Sequence, residues 1–202
     1  MERIGIFGGT FNPLHNGHLI FAQKFTEQLG LLKCLFVPAY ISPFKTDDYD
    51  DSNNMSHHRI EMLKLGISSN PKFSLDLFEI EKKGISYTID TVKYIQNIYK
   101  NSQLFLLIGY DQIVSFKEWK EWKNILEIVQ LCVLIRPKII VDIERITHDL
   151  KITFKKPIII NTPLLDISST DIRKRVSDNL PINELVTPEI ESYILSNNLY
   201  KK

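Results

Sequence analysis

Short apolar runs rich in branched residues alternate along this chain with longer stretches of helical period. That alternation predicts an α/β domain with a buried, mainly parallel sheet and helices on both faces. Composition agrees: 202 residues, 44% hydrophobic, 24% charged and 10% aromatic describe an ordinary globular protein and exclude a disordered, collagen-like or low-complexity one. At this length a single domain spanning 1–202 is the expectation.

Six strands are expected, at 3–7, 34–38, 73–75, 103–108, 131–135 and 157–160. The segment 17–29 places Leu19, Ile20, Ala22, Phe25 and Leu29 near one helical face, and Gly30 follows as its C-cap. Further helices are expected at 56–68, 88–99, 119–129, 170–177 and 188–196, several opening with a Ser, Thr or Asp cap. The polar segment 40–54 carries Asp47, Asp48, Asp50 and Asp51 without a sustained period, and reads as a long surface loop. A C-terminal helical segment of about 168–202 is expected to pack on the domain through Leu185, Val186, Tyr193, Ile194 and Leu199. No repeat or linker divides the chain.

A net charge of +1 supplies no global field toward nucleic acid or an anionic membrane, so any anionic ligand must be held locally. The longest apolar runs, such as 104–108, are far short of a membrane span, and the N-terminus lacks the pattern of a signal peptide. A cytoplasmic location is expected. Cys34 and Cys132 each sit inside an apolar segment and read as buried thiols in strands rather than a disulfide or metal pair.

The richest stretch is Gly8-Gly9-Thr10-Phe11-Asn12-Pro13-Leu14-His15-Asn16-Gly17-His18, between the first strand and the first helix. Gly8 and Gly9 are expected to let the backbone turn sharply and approach a ligand. The helix start beyond supplies amide donors and a positive dipole end, which together make an anion site. It has neither G-x-G-x-x-G nor the G-K-[ST] ending of a P-loop. If helix has begun by His15, His15 and His18 share a face and can both stabilise charge developing on a phosphate. A capping and a packed histidine is the plainer alternative, and a zinc site lacks the further ligands it needs.

A second cradle, Ile167-Ser168-Ser169-Thr170-Asp171-Ile172-Arg173, follows the last strand. Hydroxyls at a helix start with Arg173 one turn in can grip phosphate oxygens, although alone they also fit a capped, solvated helix.

The first stretch resembles the signature of the nucleotidyltransferase superfamily that carries H-x-G-H, and I-S-S-T-x-I-R resembles its second signature. Asn12 stands where members commonly have Asp. The resemblance implies a Rossmann-like, doubly wound nucleotidyltransferase fold and transfer of a nucleotidyl group to a phosphate. Class I aminoacyl-tRNA synthetases share H-x-G-H, but this chain has no K-M-S-K-S element and no room for their appended domains.

The ordered set Ser86-Tyr87-Thr88-Ile89-Asp90-Thr91, Gly109-Tyr110-Asp111, Phe116 with Trp119 and Trp122, and Arg136-Pro137 further resembles the bacterial nicotinate mononucleotide adenylyltransferases, as does the ending at 185–188 and 199–200. That resemblance implies ATP and nicotinate mononucleotide as substrates, Mg2+ accompanying ATP, and a role in NAD biosynthesis. It assigns Gly8, Gly9, Thr10, Phe11, His15, His18, Gly109, Asp111, Ser168, Ser169, Thr170 and Arg173 to ATP, with His15, His18 and Arg173 acting in catalysis. Lys45, Thr88, Trp119 and Arg136 fall to the mononucleotide. Trp119 is the candidate to stack on the cationic pyridine ring; from spacing alone packing is the favoured reading of both tryptophans. Phe44 replaces the family's His beside Lys45, and Tyr110 and Lys138 replace smaller residues. Nicotinamide mononucleotide or phosphopantetheine as acceptor, and a non-catalytic nucleotide-binding regulator, are the competing readings. The sequence leaves a homo-oligomer open.

Overall fold

The computed structural model describes residues 1–43, 49–134, 148, 156–163 and 165–201. Six strands, β1 (Glu2–Gly9), β2 (Lys33–Pro38), β3 (Phe73–Leu75), β4 (Ser102–Gly109), β5 (Val129–Leu134) and β6 (Ile158–Ile160), form one sheet in the order β3-β2-β1-β4-β5-β6. Every neighbouring pair is parallel. The helices are α1 (Asn16–Leu29), α2 (Tyr49–Ile67), α3 (Phe78–Lys82), α4 (Thr88–Ile98), α5 (Tyr110–Val114), α6 (Trp122–Ile128), α7 (Ser169–Ser177) and α8 (Pro188–Ser196).

Successive strand residues point to opposite faces, and here both faces are apolar. Ile4, Ile6, Leu35, Val37, Leu104, Leu106, Leu131 and Val133 pack with Ile89, Val92 and Ile95 of α4 and Ile125 of α6. Phe7, Cys34, Phe36, Phe105, Leu107, Cys132 and Leu134 pack on the other face with α1, α2, α7 and α8. The expected helices on both faces are therefore present. Val186, Ile194 and Leu199 lie in that second layer, with Leu185 and Tyr193 against it.

The strand order reverses beside β1, whose neighbours are β2 and β4. In open α/β sheets ligands bind outside the carboxyl ends of the strands at such a point. Phe7 is level with Leu107, so Gly9 and Gly109, two residues further on each strand, end side by side at that edge.

Several expectations need correction. The helix expected at 119–129 is shorter: Phe116–Glu118 is a 3-10 turn, Glu121 at φ 52 breaks the path into α6, and Val129 already belongs to β5. The expected loop at 40–54 holds α2 from Tyr49 onward, seven residues before the expected start. A polar run without an apolar period can still extend a helix, because propagation from an existing helix costs little. Helices α3 and α5, five residues each, are too short for a period to reveal. Gly30 does cap α1 in the left-handed region, at φ 58. Cys34 and Cys132 are buried free thiols in β2 and β5, and burial pushes both up to about 12. Among the described residues no helix is long and apolar enough to cross a membrane.

Candidate active site

The turn after β1 is built differently from the glycine-driven turn expected. Gly8 and Gly9 stay in the strand, level with Val37 and Pro38. The left-handed residue is Phe11, at φ 50, followed by a cis Asn12–Pro13 peptide. What Gly9 supplies is space, since a Cβ there would sit 3.0 Å from the Phe11 ring. That ring is 2% exposed and packs edge-on against Phe7 and His18, at 5.4 and 5.1 Å. Phe11 therefore faces the core, and its backbone is what it can offer a ligand.

His15 is not yet in the helix. It is the N-cap of α1, with extended backbone, and His18 is the third helical residue. His15 Nδ1 accepts from the His18 N–H at 3.3 Å, and His18 Nδ1 accepts from the His15 N–H at 3.3 Å. The two rings stack, 3.6 Å between centroids. This reciprocal cap has a chemical consequence. A neutral imidazole whose Nδ1 accepts must carry its proton on Nε2, so both histidines are held as Nε2–H donors. Gly17 makes the arrangement possible, because a Cβ there would lie 3.0 Å from His15 Nδ1. His15 is thus the capping histidine and His18 the packed one, against Phe7 and Phe11, as the plainer expectation had it, with the two rings side by side.

The second motif docks onto the first. Ser168 caps α7, its side chain accepting from the Asp171 N–H at 3.0 Å. Ser169 Oγ donates to the Pro13 carbonyl at 2.9 Å, and Arg173 donates to the Asn12 carbonyl at 2.7 Å and to Thr170 Oγ1 at 3.3 Å. Segments more than 150 residues apart in sequence thus meet around one turn. Asp111 is exposed in the first turn of α5, and the Gly109 N–H donates to Gln112 Oε1 at 2.9 Å.

Residues 6–175 match the cytidylyltransferase-like family model. The nicotinate-nucleotide adenylyltransferase of Bacillus subtilis is 40% identical over 202 residues, covering 100% of both chains. A probable nicotinate-nucleotide adenylyltransferase of Caldicellulosiruptor bescii is 37% identical, over 99% of this chain and 100% of its own. The chain belongs to the cytidylyltransferase-like family. Among solved structures, the Plasmodium falciparum nicotinic acid mononucleotide adenylyltransferase complexed with APC superposes with a TM-score of 0.77 at 25% identity, covering 99% of this chain and 98% of that one.

In this cytidylyltransferase-like chain a second cluster lies at the start of α4. Thr88 is its first residue. Lys120 Nζ sits 4.4 Å from the centroid of the Tyr87 ring, and Lys93 pairs with Glu121 at 2.9 Å. These contacts bring Thr88 and the Trp119 segment to one place. The Trp119 ring is half-buried and tilted on Phe116 at 5.1 Å, which Trp122 also touches, at 6.4 Å. Other residues of the Ser86–Thr91 stretch anchor it. Ser86 Oγ accepts from the Tyr40 N–H at 2.9 Å, Asp90 pairs with Lys82, and Thr91 Oγ1 donates to Glu79 Oε1 at 2.5 Å. Burial pushes the Glu79 carboxyl above its usual range, opposed by the hydrogen bonds from Thr91 and Ser86. Lys45 and Arg136, with Phe44 and Lys138, lie outside the described residues.

Among the supports of the first turn that the sequence did not announce are Asn16 and Tyr200. Asn16 donates from its backbone to Leu185 O at 2.9 Å and from Nδ2 to Glu184 O at 3.0 Å, and Tyr200 donates to Asn12 Oδ1 at 2.5 Å. The apolar and aromatic ending at 185–200 was the only sequence signal for them.

Proposed function

We propose that this chain transfers the adenylyl group of ATP to nicotinate mononucleotide, forming nicotinate adenine dinucleotide and pyrophosphate in NAD biosynthesis. The observation that carries this most is the docking of Ser169 and Arg173 onto the Pro13 and Asn12 carbonyls. It assembles two donor-rich helix starts at one turn, beside the switch point of the sheet.

The mononucleotide phosphate is already anionic, so no general base is required. One of its oxygens attacks the α-phosphorus of ATP in line; the new P–O bond forms as the bond to the β-phosphate oxygen breaks, and pyrophosphate leaves with that electron pair. The Nε2–H groups of His15 and His18 donate to the α-phosphate oxygens as charge builds there, and Arg173 stabilises the departing pyrophosphate. The turn 8–11 and the hydroxyls of Ser168, Ser169 and Thr170 hold the triphosphate, Gly109 and Asp111 take the nucleoside end, and Thr88 and Trp119 position the pyridine ring. Lys45 and Arg136 belong with the mononucleotide phosphate in this reading.

Among the described residues no group of three His, Cys, Asp or Glu side chains could hold a metal ion. In this reading Mg2+ would accompany ATP as part of the substrate and would supply neutralisation of the triphosphate charge. We place the enzyme in the cytoplasm, where two free thiols persist, and read the whole chain as one domain.

The test supplies ATP with nicotinate mononucleotide, nicotinamide mononucleotide or phosphopantetheine in turn and follows pyrophosphate release. Release with nicotinate mononucleotide is expected. Release only with another acceptor overturns the substrate assignment, and ATP binding without release under any condition identifies a non-catalytic regulator.

A further inference from the structure

Arg59 lies in the interior of α2, 2% exposed. Its guanidinium donates from one nitrogen to the carbonyls of Thr10 and Ala39, both at 2.8 Å, and from another to Ser56 Oγ at 3.0 Å. Tyr200 and the Glu79 carboxyl act on it electrostatically, but no described carboxylate lies within ion-pair distance of it. Taking a cation out of water is costly, and an apolar side chain of similar volume commonly serves stability as well or better. The position of this charge therefore calls for an account beyond packing.

Its two carbonyl partners supply one. Thr10 belongs to the turn after β1, and Ala39 directly follows β2. The Ala39 N–H in turn donates to Gly9 O at 2.9 Å, so Arg59 closes a clamp between the turn and the neighbouring strand end. A trans peptide is planar, with its C=O and N–H pointing in opposite directions. Drawing the Thr10 carbonyl toward the buried guanidinium therefore aims the Phe11 N–H away from it, out of the core. The cation also remains behind the turn in low-dielectric surroundings, where its field on a bound anion is weakly screened.

We propose that Arg59 is a positioning residue for ATP: from inside the fold it fixes the Thr10–Phe11 peptide and keeps a positive charge behind the phosphate-binding turn. This rests on the reading of that turn as an ATP site. It predicts that Arg59 acts on ATP and not on the acceptor.

The test compares Arg59→Met, which keeps volume without charge or donors, with Arg59→Lys, which keeps the charge and can reach a carbonyl. ATP affinity is measured by calorimetry without acceptor, steady-state constants by pyrophosphate release, and folding by thermal melting. Arg59→Met should weaken ATP binding and lower kcat/KM for ATP by about 30-fold, in the range for losing a group that orients direct ligands. The KM for nicotinate mononucleotide should stay within about twofold, and Arg59→Lys should recover a large part of the loss. A folded Arg59→Met protein with wild-type ATP affinity overturns the proposal. If Arg59→Met does not melt cooperatively, Arg59→Lys decides: it must show a measurable, ATP-specific loss, and wild-type ATP constants refute the role. Wild-type chain that binds ATP but transfers to no acceptor overturns the reaction while leaving the Arg59 test intact.

Discussion

The turn that carries the paired histidines and the segment that carries Thr88 and Trp119 are held in opposite ways. The first is gripped from inside and from far along the chain. Arg59, Ser169 and Arg173 donate to the carbonyls of Thr10, Pro13 and Asn12, Tyr200 reaches the Asn12 side chain, and Asn16 joins Leu185. The second is tied to its neighbours at the surface by Lys82–Asp90, Lys93–Glu121 and Lys120 over Tyr87, with one buried hydrogen bond behind them, from Thr91 to Glu79. The side-chain contacts of the first kind are part-buried and geometrically strict, whereas exposed ion pairs contribute little and are screened by salt. In the proposed reading the difference assigns rigidity to the end that meets charge at fixed distances, and leaves the Thr88–Trp119 end to be defined largely by ring packing.

The sharpest test of that contrast is His18→Ala. It removes one half of the reciprocal cap and, in the proposed mechanism, one transition-state donor at once. Turnover should fall by about 10²-fold or more, while the lost cap costs only about 1 kcal/mol of stability. Pyrophosphate-release kinetics beside a thermal melt separate the two. Near-normal turnover in the folded variant would mean that the rigid turn serves the fold and not the chemistry.

At the acceptor end the informative variant is Trp119→Leu, which keeps apolar contact with Phe116 and removes the aromatic face. The KM for the mononucleotide should rise about tenfold, on the scale of one lost stacking contact, with the KM for ATP unchanged. A lower melting temperature with unaltered KM would instead make Trp119 a packing residue, as its contact with Phe116 already allows.

These two regions were not equally legible. Strands buried on both faces announce themselves as continuous apolar runs, so all six expected strands are present, with ends displaced by a residue or two. The spacing of His15, Gly17 and His18 was visible, yet its meaning was not. The capping histidine was the plainer of two expectations, whereas the reciprocal lock of each ring on the other's amide is revealed only by the backbone path. Arg59 left no mark at all. It sits in an ordinary amphipathic stretch, and its partners are main-chain carbonyls 20 and 49 residues away, which no residue identity encodes. The helical start at Tyr49 and the break at Glu121 were hidden for a related reason, since backbone continuation and a single left-handed residue leave the apolar period untouched.

The smallest expected effect lies where the two regions meet. Glu79 is buried, accepts from Thr91, and is held above its usual range chiefly by burial. From the ordinary value of 4.5 up to that raised folded value, the native state keeps a proton that the unfolded chain has released. Stability must then decline as pH rises through that window. Glu79→Gln can still accept from Thr91 but does not titrate, so its stability relative to the wild type should climb across the same window and level off above it. Urea denaturation of both proteins at a series of pH values from 4 to 7 reads the difference directly, with every other titrating group cancelling between them. Parallel curves would show that Glu79 titrates alike in the folded and the unfolded chain, and that the inner anchor of the Thr88 segment is as well solvated as its surface ties.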